Sequence, residues 1–178
     1  MGAASNTKAY GSNNTAGNLL VMCALSSGNI SAVSDTVGGN TWVKAEDEDA
    51  AGVPFFLEIW YVENCAGGAN TVTFTNDFGA DFCQIWIAEY SGLATSSSED
   101  SSNSAADLTG IDDTPNSGNI TTTNADCLLV GCVGNNQERT MTWTTPDTEQ
   151  YDDISAGLDR SMSVADQIVS ATGTYAAS

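Results

Sequence analysis

Two short apolar runs constrain the fold of this chain more than any other feature: Leu19-Leu20-Val21-Met22-Cys23-Ala24-Leu25 and Cys127-Leu128-Leu129-Val130-Gly131-Cys132-Val133. The first is opened by Gly17-Asn18 and closed by Ser26-Ser27-Gly28-Asn29, and the second follows Ala125-Asp126. A continuous apolar run of this length between turn residues reads as a strand buried on both faces. Around these two runs, other segments alternate. In Thr71-Val72-Thr73-Phe74-Thr75 the apolar side chains fall on one face and the threonines on the other, as in a half-buried strand. Phe55-Phe56-Leu57-Glu58-Ile59-Trp60-Tyr61-Val62 is the most β-prone stretch. Phe82 to Tyr90 carries Cys83, Ile85 and Ile87 on one face and Phe82, Gln84, Trp86 and Tyr90 on the other. Ser161 to Val169 is a last clear strand, and weaker ones are predicted at Ile30–Val37, Asn119–Thr123 and Thr140–Thr144. A strand beginning at Thr41-Trp42-Val43 is expected to stop at Glu46-Asp47-Glu48-Asp49, where four adjacent carboxylates must be solvated.

About ten short strands, frequent turn signals and no amphipathic helix predict an all-β fold, a two-sheet antiparallel sandwich of jelly-roll type. A length of 178 residues suits one domain, and 41% hydrophobic content is enough for a core. Residues 1–17 read as an N-terminal arm or edge strand. Residues 18–178 read as the sandwich, with a long polar loop at 91–119 and an acidic loop over 145–160.

The charge balance excludes whole classes of function. Twenty-three acidic residues face four basic ones, and there is no histidine. A net charge of -19 repels phosphate backbones and anionic lipid, so neither nucleic acid nor membrane is expected as a partner. Imidazole acid–base chemistry and imidazole metal ligation are impossible. The start Met1-Gly2-Ala3-Ala4-Ser5 has no signal-peptide pattern, and no apolar run approaches the ~20 residues of a membrane span. Of five cysteines, Cys23, Cys83, Cys127 and Cys132 lie in apolar runs and are expected as reduced, buried thiols. Cys127 and Cys132 fall on opposite faces of one strand and should not pair.

Three sets of side chains carry possible chemistry. Glu58 shares a strand face with Phe56 and Trp60, so it reads either as a raised-pKa acid partnered by Glu89 or, the reading adopted here, as part of an outward face with Trp60 and Glu89. Asp112, Asp113, Asp152 and Asp153 sit in oxygen-rich loops that calcium could use, without the spacing of a dedicated calcium loop. Trp42, Trp60 and Trp143 are candidate stacking platforms for sugar rings, against a default of core packing. Serines have no histidine partner, and no phosphate loop or dinucleotide fingerprint occurs, so no catalytic group and no cofactor is expected beyond possible calcium.

Several phrases resemble a β-sandwich module, lectin-like or jelly-roll in type, found in bacterial extracellular multidomain proteins and phage virion proteins. They are Ala16-Gly17-Asn18-Leu19-Leu20-Val21; Asp35 to Trp42, close to a D-x-x-G-N-T-W turn; Trp60-Tyr61 through Ala66-Gly67-Gly68-Ala69-Asn70-Thr71; Ile87-Ala88-Glu89-Tyr90-Ser91-Gly92; Asp126 to Gly131; and Val164 to Val169 with Thr172-Gly173-Thr174-Tyr175. The resemblance implies the sandwich fold and a further apolar strand after the last phrase, which is expected here to be removed, supplied by a neighbouring molecule or replaced by an open edge. Turn-rich composition together with reduced thiols fits a protein made in a reducing compartment that works outside it. The expectation is a non-enzymatic structural protein on a virion surface or in an extracellular setting, a capsid decoration or fibre subunit whose partners are other protein subunits. The alternative is a carbohydrate-binding module that takes glycans on its tryptophans.

Overall fold

A computed structural model describes residues 4–49, 55–78, 82–106, 115–155 and 159–178. The described residues form twelve strands and no helix, so the fold is all-β, and every strand pair for which a register is resolved is antiparallel. No helix of the described residues is long and apolar enough to cross a membrane. Backbone contacts group the chain into two compact units, Met1–Asp47 with Pro54–Glu99, and Glu48–Val53 with Asp100–Ser178.

The first unit contains a three-stranded sheet, ordered β1 (Ala4–Ala9), β6 (Thr71–Asn76), β3 (Ile30–Asp35), and, apart from the last two residues of β4, a four-stranded sheet, ordered β4 (Val43–Asp49), β5 (Phe56–Val62), β2 (Leu19–Ser26), β7 (Cys83–Tyr90). The two sheets share a core. Met22 and Ala24 of β2 pack with Ile30 of β3 and Val72 and Phe74 of β6, and Trp60, Ile85 and Ile87 close around them. The reading of β2 as a strand buried on both faces holds. Leu20, Met22 and Ala24 on one face and Val21, Cys23 and Leu25 on the other are all excluded from solvent. The leading polar residues supply an edge strand, β1, which pairs with β6 from Ala4 opposite Asn76 to Ala9 opposite Thr71.

In the second unit β10 (Thr148–Ser155), β11 (Arg160–Val169) and β9 (Cys127–Asn135) form one sheet with β11 central, and β8 (Ile120–Thr121) pairs with β12 (Thr174–Tyr175). The last residues are tied down. Ser178 exchanges backbone hydrogen bonds with Thr145 and accepts one from Thr144, while Ala177 accepts one from Ser117.

Three local expectations are corrected. The strand at Trp42–Val43 does not stop at the acidic run: β4 continues through Asp49. It lies at the outer end of its sheet order, and the two-residue period leaves Asp47 and Asp49 exposed and Glu46 and Glu48 half-exposed, so a strand and solvated carboxylates coexist. The expected acidic loop over 145–160 contains β10, paired along β11 with a bulge between Glu149 and Tyr151. Conversely, Thr140–Thr144 is not a strand; its alternation buries Met141 and part of Trp143 without a ladder. Periodicity reports which side chains are buried, and a ladder also needs a neighbouring backbone in register.

Candidate functional site

The four-stranded sheet positions a carboxylate at the centre of the first unit. Glu58 stands on β5 opposite Ala24 of β2, and like Met22 and Trp60 it points between the sheets. It is fully buried. The expected outward face for Glu58 and Trp60 is therefore corrected. Pairing register overrides the usual exposure of acidic residues because Glu58 is matched by donors on every side. Its Oε1 accepts the Ile30 N–H at 2.7 Å. Its Oε2 accepts the Trp60 Nε1–H at 2.8 Å and lies 2.9 Å from Lys44 Nζ. Lys44 also lies over the Trp60 ring, 5.3 Å from its centroid, and 3.4 Å from the Oδ1 of Asn29. A buried carboxylate is tolerated when such partners replace water.

Asn29 is delivered to this group by a tight turn. Ser26 Oγ donates to the Gly28 carbonyl at 2.6 Å, and Asp77 N–H donates to the Asn29 carbonyl at 3.1 Å. Gly28 passes so close to β6's exit that an added Cβ would meet Phe78 Cβ at 2.5 Å and Phe78 N at 2.8 Å. Only glycine fits there.

Two further carboxylates act as loop clamps. Asp35 Oδ2 accepts from Asn40 Nδ2 at 2.6 Å, Trp42 Nε1 at 3.0 Å and Asn70 Nδ2 at 3.3 Å, and Oδ1 accepts the Gly38 N–H at 3.3 Å. Gly38 and Gly39 supply positive φ angles of 74° and 82° to close the turn. The Asp35-to-Trp42 phrase is thus a self-bonded knot that ends β3 and starts β4. Glu89 accepts from Asn14 Nδ2 at 2.9 Å, the Thr15 N–H at 2.7 Å and Asn18 Nδ2 at 2.6 Å. Burial raises the Glu89 carboxyl, but these hydrogen bonds outweigh it and hold the group below its ordinary value.

Glu58 and Glu89 do not meet as a catalytic pair. Glu58 stands opposite Ala24 and Glu89 opposite Leu20 on the intervening β2, an offset of four residues or about 13 Å along the strand. Two carboxyls that flank a scissile glycosidic bond sit about 5–10 Å apart.

The candidate tryptophans face inward acceptors. Trp42 donates to Asp35, Trp60 to Glu58, and Trp143 to Ser163 Oγ at 2.7 Å. Trp143 also packs against Gly131 of β9, where an added Cβ would meet its ring at 2.8 Å. Among the calcium candidates, Asp112 and Asp113 lie outside the described residues. Asp152 and Asp153 are neighbours on β10, so their side chains leave opposite faces. Asp153 accepts from the Tyr151 hydroxyl at 2.8 Å. No group of three or more acidic or thiol side chains suited to a metal occurs among the described residues. All five cysteines are free thiols, with Cys23 and Cys65 buried.

Sequence reasoning missed Lys44, Asn29 and the clamp role of Asp35. Scarcity was the available signal for Lys44: it is one of two lysines and two arginines in 178 residues. No protein-family model matches the chain. No curated protein and no solved structure matches it either.

Proposed function

We infer that the chain is a non-enzymatic assembly module for surface display, of the kind used as a capsid decoration or fibre subunit of a phage-type virion. The observation that carries this reading is how the ordered carboxylates are used. Asp35, Glu58 and Glu89 each accept three or more donors from loops and strands of their own unit, so they fasten the fold. Sheet faces and edges remain as working surfaces, and docking through them needs no turnover. The resemblance to virion and extracellular sandwich modules supports the same reading. Inward-turned indoles weigh against the carbohydrate module built on Trp42, Trp60 and Trp143.

Native assembly state tests it. The protein should co-sediment with particles or fibres, or self-associate more strongly as salt screens its charge of -19. A species that stays monomeric from low to high salt and binds no particle would sink this reading. Glycan binding abolished by Trp42→Ala or Trp60→Ala would replace it with the carbohydrate module.

A further inference from the structure

We propose that the first unit is a self-crosslinking domain in which Lys44 and Asn29 join in an intramolecular isopeptide bond, with Glu58 as the proton shuttle. The proposal stands on the geometry of these three side chains and does not depend on the assembly reading.

Such a bond needs an amine, a carboxamide and a buried proton carrier, all held before reaction. Each is present. Lys44 Nζ lies 3.4 Å from Asn29 Oδ1 and 2.9 Å from Glu58 Oε2. Glu58 is fully buried, and the Lys44 side chain retains only 26% exposure. The carboxylate is aimed by two further donors, Ile30 N–H on Oε1 and Trp60 Nε1 on Oε2. Ile30 directly follows Asn29, so one carboxylate fixes the backbone beside the electrophile and grips the nucleophile. The electrophilic Cγ of Asn29 is bonded to the oxygen that Lys44 already touches. Attack then requires the Asn29 side chain to turn Cγ, rather than Oδ1, toward Nζ. Holding reactants at about 3–3.5 Å converts a slow intermolecular aminolysis into an intramolecular one with effective molarities on the order of 10⁵ M or more.

The step balances without a co-reactant. The Lys44 ammonium passes one proton to Glu58 Oε2, leaving a neutral amine and a carboxylic acid. The Nζ lone pair attacks Asn29 Cγ and gives a tetrahedral adduct. Glu58 then gives its proton to the Asn29 amide nitrogen, takes the second proton from Nζ as the Cγ–Nδ2 bond breaks, and passes that proton to the released ammonia. A secondary amide joins the two side chains, one ammonium leaves and Glu58 returns to its starting form. The product would staple β4 of the four-stranded sheet to the turn that leads into β3 of the three-stranded sheet.

Intact-mass spectrometry in denaturant tests this directly. The folded protein should weigh about 17 Da less than its sequence, the mass of one ammonia. Trypsin should fail after Lys44, and a branched peptide should link residues 29 and 44. Amine acetylation of the denatured chain should label Lys8, the other lysine, and spare Lys44. Lys44→Arg keeps the cation beside Glu58 but cannot form the amide, so it should fold and run at full mass. Asn29→Asp should lose about 18 Da, as water, by the same route. Glu58→Gln should fold without the bond; if it does not fold, Lys44→Arg and Asn29→Ala carry the comparison. Full sequence mass in the folded wild-type protein after prolonged incubation, with Lys44 freely acetylated, overturns the proposal. So does a bond that forms equally in Glu58→Gln.

Discussion

Lys44 Nζ sits 2.9 Å from the Oε2 of Glu58, and this carboxylate has no exposed surface. The pair joins β4 to β5, while Oε1 reaches across to the Ile30 backbone on the opposite sheet. One side chain therefore ties both layers of the first unit together.

Removing that side chain strands its donors. Glu58→Ala leaves the Ile30 N–H and the Trp60 Nε1–H without an acceptor and opens a cavity between the sheets. A destabilisation of about 3–5 kcal/mol is expected, the range for breaking a buried charged network from one side. Urea unfolding monitored by tryptophan fluorescence measures it; a loss below about 1 kcal/mol would contradict the burial described.

The Asp35 knot predicts a graded series. Trp42→Phe removes one indole hydrogen bond and should lose about 1 kcal/mol, whereas Asp35→Ala removes the acceptor for four donors and should lose about 2–4 kcal/mol. Equal losses in the two variants would show that indole packing, not the carboxylate, holds this turn.

Glu89 makes the loop at 14–18 sensitive to acid. Its folded pKa lies below the ordinary 4.5, so the carboxylate is favoured by folding. A group depressed in the folded state contributes stability that is complete above its unfolded value and is lost as pH falls through its folded value. Glu63, lowered by hydrogen bonds from Ser98 and Ser97, behaves likewise for the loop at 97–98. The protection factors of the Thr15 and Ser98 amides, corrected for intrinsic exchange at each pH, should therefore be constant above about pH 5 and fall below about pH 4.5, and Glu89→Gln should abolish the change at Thr15 alone.

Cys23 and Cys83 should be inert in the native protein. Cys23 is wholly excluded from solvent, and burial pushes the Cys83 thiol up to about 12, far from the thiolate form at neutral pH. A chromogenic disulfide reagent at pH 7.5 should react with Cys23 and Cys83 only on unfolding, raising their labelling rate by at least about 100-fold. Rapid native labelling of Cys83 would mean that the β7 end opens readily.

The strands were legible in the residues because burial along a strand is a local, two-residue rhythm. Leu19–Leu25, Thr71–Thr75 and Cys83–Tyr90 announce themselves, and the all-β fold follows from them. Net charge and the missing histidines likewise settled, from composition alone, that no imidazole chemistry operates here. Where strands such as β4 and β10 continue through acidic residues, and where Thr140–Thr144 alternates without a ladder, the rhythm misled, since pairing depends on a partner backbone far away in the chain. The fate of Glu58 belonged to tertiary structure entirely. Its face was readable, but whether that face met water or a second sheet depended on Ile30, Trp60 and Lys44 converging from three strands. A carboxylate is buried only where such donors replace its water, and no local pattern encodes that meeting.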